Sequence, residues 1–158
     1  MSVAFDGWGV AIYLEFHDMS TKEKRWTHKA FLAKLKTTID DDTKPIILTD
    51  ASYKTTRFRD VIALGWDFAG RVRKPMMYVN QKEGWEHTSE LYKRATSQPK
   101  VFTSHICRSQ HLACTLVLFK SKRQDRLTQH NIARQSNCSK VNARGAKDPR
   151  LIATSLPP

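Results

Sequence analysis

Residues 45–73, PIILTDASYKTTRFRDVIALGWDFAGRVR, constrain the fold more than any other stretch. Pro45 opens the apolar run Ile46, Ile47 and Leu48, whose length and β-branching suit a strand buried on both faces. Asp50 stands at the carboxyl end of that run, where open α/β sheets place their ligands. Phe58, Val61, Ile62 and Leu64 then recur at helical spacing, and Gly65 supplies the residue at ease with positive φ that helix ends favour. Trp66 to Val72 forms a second strand. Periodicity alone yields a β-α-β unit with an acid at a strand tip. On local pattern such an Asp is more often a helix cap or loop residue than a ligand.

Around this unit the chain alternates between strand and helix patterns. Val10 to Phe16 reads as a strand with one exposed face, with Gly7 and Gly9 as a turn and Val3 to Phe5 as its hairpin partner. Thr27 to Ile39 carries Phe31, Leu32, Leu35 and Ile39 at helical spacing, with Thr27 as cap. Asp40 to Asp42 reads as a solvated acidic turn, since neighbouring acids on one loop rarely converge on a metal. Beyond Arg73, Met76 to Val79 is a short strand, Glu83 and Gly84 a turn, and Thr88 to Ala95 a helix. Lys100 to Cys107 and Leu112 to Lys120 pair as antiparallel strands, and Leu151 to Leu156 returns to strand composition.

Charge narrows the partners. A formal net charge of +12 and a sequence pI near 9.9 favour a polyanion, against the bland alternative of a basic surface that binds nothing. From Lys120 to Lys147 the chain is basic and poor in apolar residues, so it reads as a loop that contacts phosphates or as a solvated linker. At 158 residues the chain is one domain's worth. Cys107, Cys114 and Cys138 are odd in number and lack CxxC spacing, which points to a reducing compartment. No apolar run approaches the ~20 residues of a membrane span, and MSVAFDGWG lacks the features of a signal peptide. The expected location is the cytoplasm, with no membrane partner.

The string Thr49-Asp50-Ala51, followed by Leu64-Gly65-Trp66-Asp67 and Gly70-Arg71-Val72-Arg73, resembles the DDE-type insertion-sequence transposases of the insertion-sequence-four family. Ser52 and Tyr53 depart from that family's Gly and aromatic. GWGVAIYLEFHDMS, LACTLVLFK and RLIATSLP match further stretches, so the resemblance covers nearly the whole chain. It implies an α/β fold with an RNase H-like core, a mixed sheet with flanking helices, interrupted by a β-rich insertion and incomplete at both ends. Residues 1–73 would be a partial catalytic core, 74–147 the insertion with its basic loop, and 148–158 the returning core strand.

The same resemblance implies the chemistry. Asp50 would be the second catalytic acid and a ligand for Mg²⁺ or Mn²⁺ in two-metal phosphoryl transfer, which needs carboxylates from separate strands converging on two cations. Asp6 lies too near its strand to be the first acid. Glu83, Glu86 and Glu90 fall in the insertion and do not supply the last. The chain then resembles a central fragment, with one acid of three matched and little strand cleavage expected from it alone. Arg71 and Arg73, alternate residues on one strand face, are candidate DNA-phosphate contacts or a solvated pair. Lys120, Lys122, Arg123 and Arg126 are DNA-binding candidates in the basic stretch. The implied partners are transposon-end DNA and a homodimeric or complementing transposase chain. The alternatives are a non-catalytic nucleic-acid-binding module and a nonfunctional remnant.

Two other groupings carry weaker signals. His105, Cys107, His111 and Cys114 are zinc-ligand types, but their spacing favours an ordinary hairpin. Trp8, Trp26, Trp66 and Trp85 could stack on bases, with Trp66 better suited to the core. No hydrolase triad or glycine-rich phosphate loop is present.

Overall fold

The computed structural model describes residues 2–5, 8–11, 13–18, 20–21, 24–50, 53–72, 75–80, 84–120 and 149–158. Ser2–Phe5 (β1) and Trp8–Ala11 (β2) pair antiparallel as a separate two-stranded ribbon. Strand pairing thus stops short of the expected Phe16. Tyr13 instead packs its ring 5.1 Å from Phe31, and Glu15 binds Lys34, so this segment follows the helix Arg25–Thr38 (α1). That helix starts before Thr27, which therefore does not cap it. Thr27 is buried in the first turn and its hydroxyl donates to the Thr21 carbonyl at 2.9 Å. Leu32 and Leu35 bury the apolar face, and Ile39 caps the carboxyl end.

The β-α-β unit forms as its periodicity requires. Ile46–Thr49 (β3) and Asp67–Arg71 (β4) are parallel, with Thr49 opposite Gly70, and Thr55–Ala63 (α2) crosses between them. Gly65 turns the chain off α2 at φ +77°. Phe58 and Val61 of α2 are fully buried, and Phe58 stacks on Phe68 at 4.2 Å. Arg25 clamps the two helices together through both oxygens of Asp60, at 3.0 and 2.7 Å. One expectation fails here. Ile47 is buried, but Ile46 and Leu48 are 47% and 69% exposed, so β3 is buried on one face. It is the terminal strand of its sheet, and burial on both faces belongs to strands with neighbours and cover.

The rest of the chain extends the same sheet. Met77–Asn80 (β5), Gly84–His87 (β6), Lys100–Ile106 (β7), Leu112–Phe119 (β8) and Arg150–Thr154 (β9) give a seven-stranded mixed sheet in the order β3-β4-β9-β8-β7-β5-β6. The short helix Thr88–Lys93 (α3) follows β6, a strand that begins at Gly84, where a turn over Glu83 and Gly84 is expected. β9 is the seam: it pairs antiparallel with β4 on one side and β8 on the other. The strands of the 74–120 stretch are therefore continuous with the β-α-β unit. Leu116, Leu118, Leu151, Ala153 and Ile106 line the buried face with Phe58 and Phe68. Among the described residues no helix is long and apolar enough to cross a membrane.

Candidate functional site

Asp50 is the first residue past β3, at the carboxyl end of the parallel β3–β4 pair. Its side chain is exposed, and its carbonyl accepts from the Tyr53 amide at 3.4 Å. The following helix, α2, has no acidic residue in its first turn, so its positive end is not neutralised locally. Open α/β sheets place ligands outside the carboxyl ends of their strands, and Asp50 stands at such an end, on the terminal strand β3.

A cleft of about 250 Å³ runs between α1 and β3 beside this carboxylate. His28, Phe31 and Leu32 line it from α1, and Ile47, Leu48, Thr49, Asp50 and Tyr53 from the other side. The floor under the Asp50 loop is aromatic. Tyr53 meets the edge of His28 at 5.9 Å and the Phe58 ring at 5.4 Å, while the guanidinium of buried Arg57 lies 5.5 Å from the Tyr53 ring centre. Burial pushes the Tyr53 phenol above its ordinary value. Beside it the Thr49 hydroxyl is buried with no hydrogen-bond partner among the described residues. Thr49 and Tyr53 flank Asp50 in sequence, whereas His28 and Arg57 were not legible as site residues, because they meet Tyr53 only from the helices α1 and α2.

Strand direction decides which basic residues join Asp50. β3, β4 and β8 end on one rim of the sheet, and β7 and β9 begin there. Arg71 closes β4, one step past the Thr49–Gly70 pair and so level with Asp50, and is exposed. Lys120 directly follows β8, its amide donating to the Thr96 carbonyl at 2.8 Å. Arg150 opens β9 opposite Phe119, with its guanidinium 6.0 Å from that ring. The chain matches no protein-family model and no curated protein. The functional reading of this rim therefore rests on its own residues.

Of the expected site residues, Asp50, Arg71 and Lys120 come together on this rim. Arg73, Lys122, Arg123 and Arg126 lie outside the described residues. Arg150 is an addition. Its one signal was the charged residue opening RLIATSLP, and only the threading of β9 beside β4 gives it a place.

Among the described residues no group of three or more His, Cys, Asp and Glu side chains could hold a metal ion. Asp60 is engaged by Arg25, and Asp67 sits at the opposite end of β4 bound to Lys44 at 2.9 Å and Ser155 at 2.8 Å. A single exposed carboxylate does not fit a two-cation centre, which draws ligands from several strands. His105, Cys107, His111 and Cys114 belong to the β7–β8 hairpin, in which burial pushes the Cys114 thiol up to about 12. Of the tryptophans, Trp66 is core, Trp26 is exposed and Trp85 meets His111 edge-on at 5.0 Å; Trp8 has no described side chain.

Proposed function

We propose that this chain is a DNA-handling protein of the DDE-transposase type, related to the insertion-sequence-four family, with an RNase H-like core and Asp50 as its second acid. The observation that carries the reading is the register of β3 and β4: it sets the exposed carboxylate of Asp50 level with the exposed guanidinium of Arg71. An exposed guanidinium level with that carboxylate would hold a phosphate beside it, one part of what phosphoryl transfer on a polyanion uses. Arg71, Lys120 and Arg150 would hold phosphate oxygens, and the guanidinium groups can do so in bidentate fashion.

The donor count favours a narrower activity for the chain alone. A divalent cation, if bound, would supply activation of the attacking oxygen, and on this rim the described residues would offer it one carboxylate, Asp50. We therefore assign DNA binding without strand cleavage to the isolated chain. Cleavage would need carboxylates from a second copy or a complementing transposase chain.

Fluorescence anisotropy on labelled duplex DNA, run beside a plasmid-nicking assay in Mg²⁺ and Mn²⁺, tests both statements. The expected result is salt-dependent binding with no nicking. Metal-dependent nicking that Asp50→Ala abolishes would overturn the non-catalytic assignment. Failure to bind DNA at low salt would overturn the reading as a whole.

A further inference from the structure

The cationic rim continues well past Arg71, and the strands β7 and β8 that carry it contribute no acid. From Leu91 to Lys120 the sequence contains no Asp or Glu. Lys100 opens β7 opposite Leu118, on the same rim as the end of β8. Its ammonium donates to the Arg94 carbonyl at 2.8 Å, which fixes the carboxyl end of α3 beside it. Along the rim Arg71 and Arg150 stand on one face of the strand ends of β4 and β9, and Lys120 and Lys100 on the other face at β8 and β7, with Arg94 beside Lys100 at the end of α3. All five are exposed, and none forms a salt bridge among the described residues.

Spacing identifies what such a row fits. Neighbouring strands lie about 4.8 Å apart, so the row from β4 to β7 spans roughly 14 Å. That is close to the major-groove width of B-DNA, about 12 Å, so its two ends can reach the phosphate rows flanking one groove. Exposed cations spaced along such a rim bind backbone phosphates and release counterions, and they carry no base specificity.

We propose that the strand ends from β4 to β7 form a track for the phosphate backbone of duplex DNA, which leads across the sheet to Asp50. This rests on the DNA-handling reading above and adds where the duplex lies. The track is sequence-independent: it orients the duplex, and Asp50 lies at its end.

The test is the salt dependence of duplex binding by the full chain and by the triple variant Lys100→Gln, Lys120→Gln, Arg150→Gln. A control variant removes three exposed cations elsewhere, by Lys29→Gln, Lys36→Gln and Arg108→Gln. At about 0.9 per phosphate contact, the triple variant should lose roughly 2.7 from the slope of log K against log salt. At 0.15 M salt it should bind on the order of 10²-fold more weakly. The control should keep the parent slope, and single-stranded DNA should compete poorly. An unchanged slope in the triple variant, with the parent still binding, would overturn the track and leave the DNA-handling reading standing. Equal losses in both variants would also overturn it, as would equal competition by single strands. No binding by the parent chain would overturn both readings together. Single Lys100→Gln and Lys120→Gln variants, each expected to lose about 0.9, keep the test decisive if the triple variant unfolds.

Discussion

Gly70 faces Thr49 across the parallel pair so closely that a methyl group on it would lie 2.3 Å from the Thr49 hydroxyl and 2.5 Å from the Phe58 ring. The glycine is there for space, since the stacked Phe58–Phe68 pair fills the floor beneath the Asp50 loop. Gly70→Ala should cost about 1–3 kcal/mol, the usual price of overpacking a filled core. A urea melt would check it, and Gly70→Ala combined with Phe58→Leu should recover part of the loss. Equal stability of Gly70→Ala and the parent would contradict the packing described.

Asp67 sets the acid limit of this end of the sheet. Lys44 first, and then Ser155, hold its carboxyl below the ordinary value of 3.8. A carboxyl depressed on folding contributes stability that is present above its unfolded value and lost as pH falls through its folded one. The contribution should therefore fade below about pH 4, and Asp67→Asn should flatten the acid side of a stability–pH curve while leaving its shape at neutral pH intact. An unaltered acid limb would show that the pair is silent.

Asp50 should matter for binding, because its exposed carboxylate stands level with Arg71. Without divalent metal its charge repels the phosphates that Arg71 attracts. At a separation of about 7 Å in water that repulsion is worth roughly 0.6 kcal/mol. Asp50→Asn should therefore bind duplex DNA about threefold tighter in EDTA. Weaker binding in EDTA would mean that DNA does not pass this carboxylate.

Leu48 presents a different liability. An edge strand that exposes Ile46 and Leu48 invites another chain to pair with it. Leu48→Lys should lower concentration-dependent self-association in sedimentation velocity and leave the fold intact, since the side chain is 69% exposed. Loss of folding would show that this face is covered.

Local sequence carried much of this fold and stopped where neighbours decide. Ile47, Phe58, Val61 and Gly65 announced the β-α-β unit, because a strand run and a helical period are local properties. Exposure of Leu48 was not legible, since position at a sheet edge depends on the order of all seven strands. Val10 to Phe16 alternates like a strand, yet Tyr13 and Glu15 find their partners on α1. β6 escaped notice because Gly84-Trp85-Glu86-His87 is short and polar. Asp50 could be picked out from its place at a strand end, but its company could not. Arg150 and Lys100 reach the same rim only because β9 threads between β4 and β8.

Hydrogen–deuterium exchange of the whole chain with and without duplex DNA tests most directly whether this rim is the DNA-binding surface. The account predicts that DNA slows exchange around residues 53–57, 70–72, 94–101, 118–120 and 150–152, and leaves the turn at 107–111 unchanged. Slowing confined to 107–111 or to α1, with the rim amides unaffected, would contradict it.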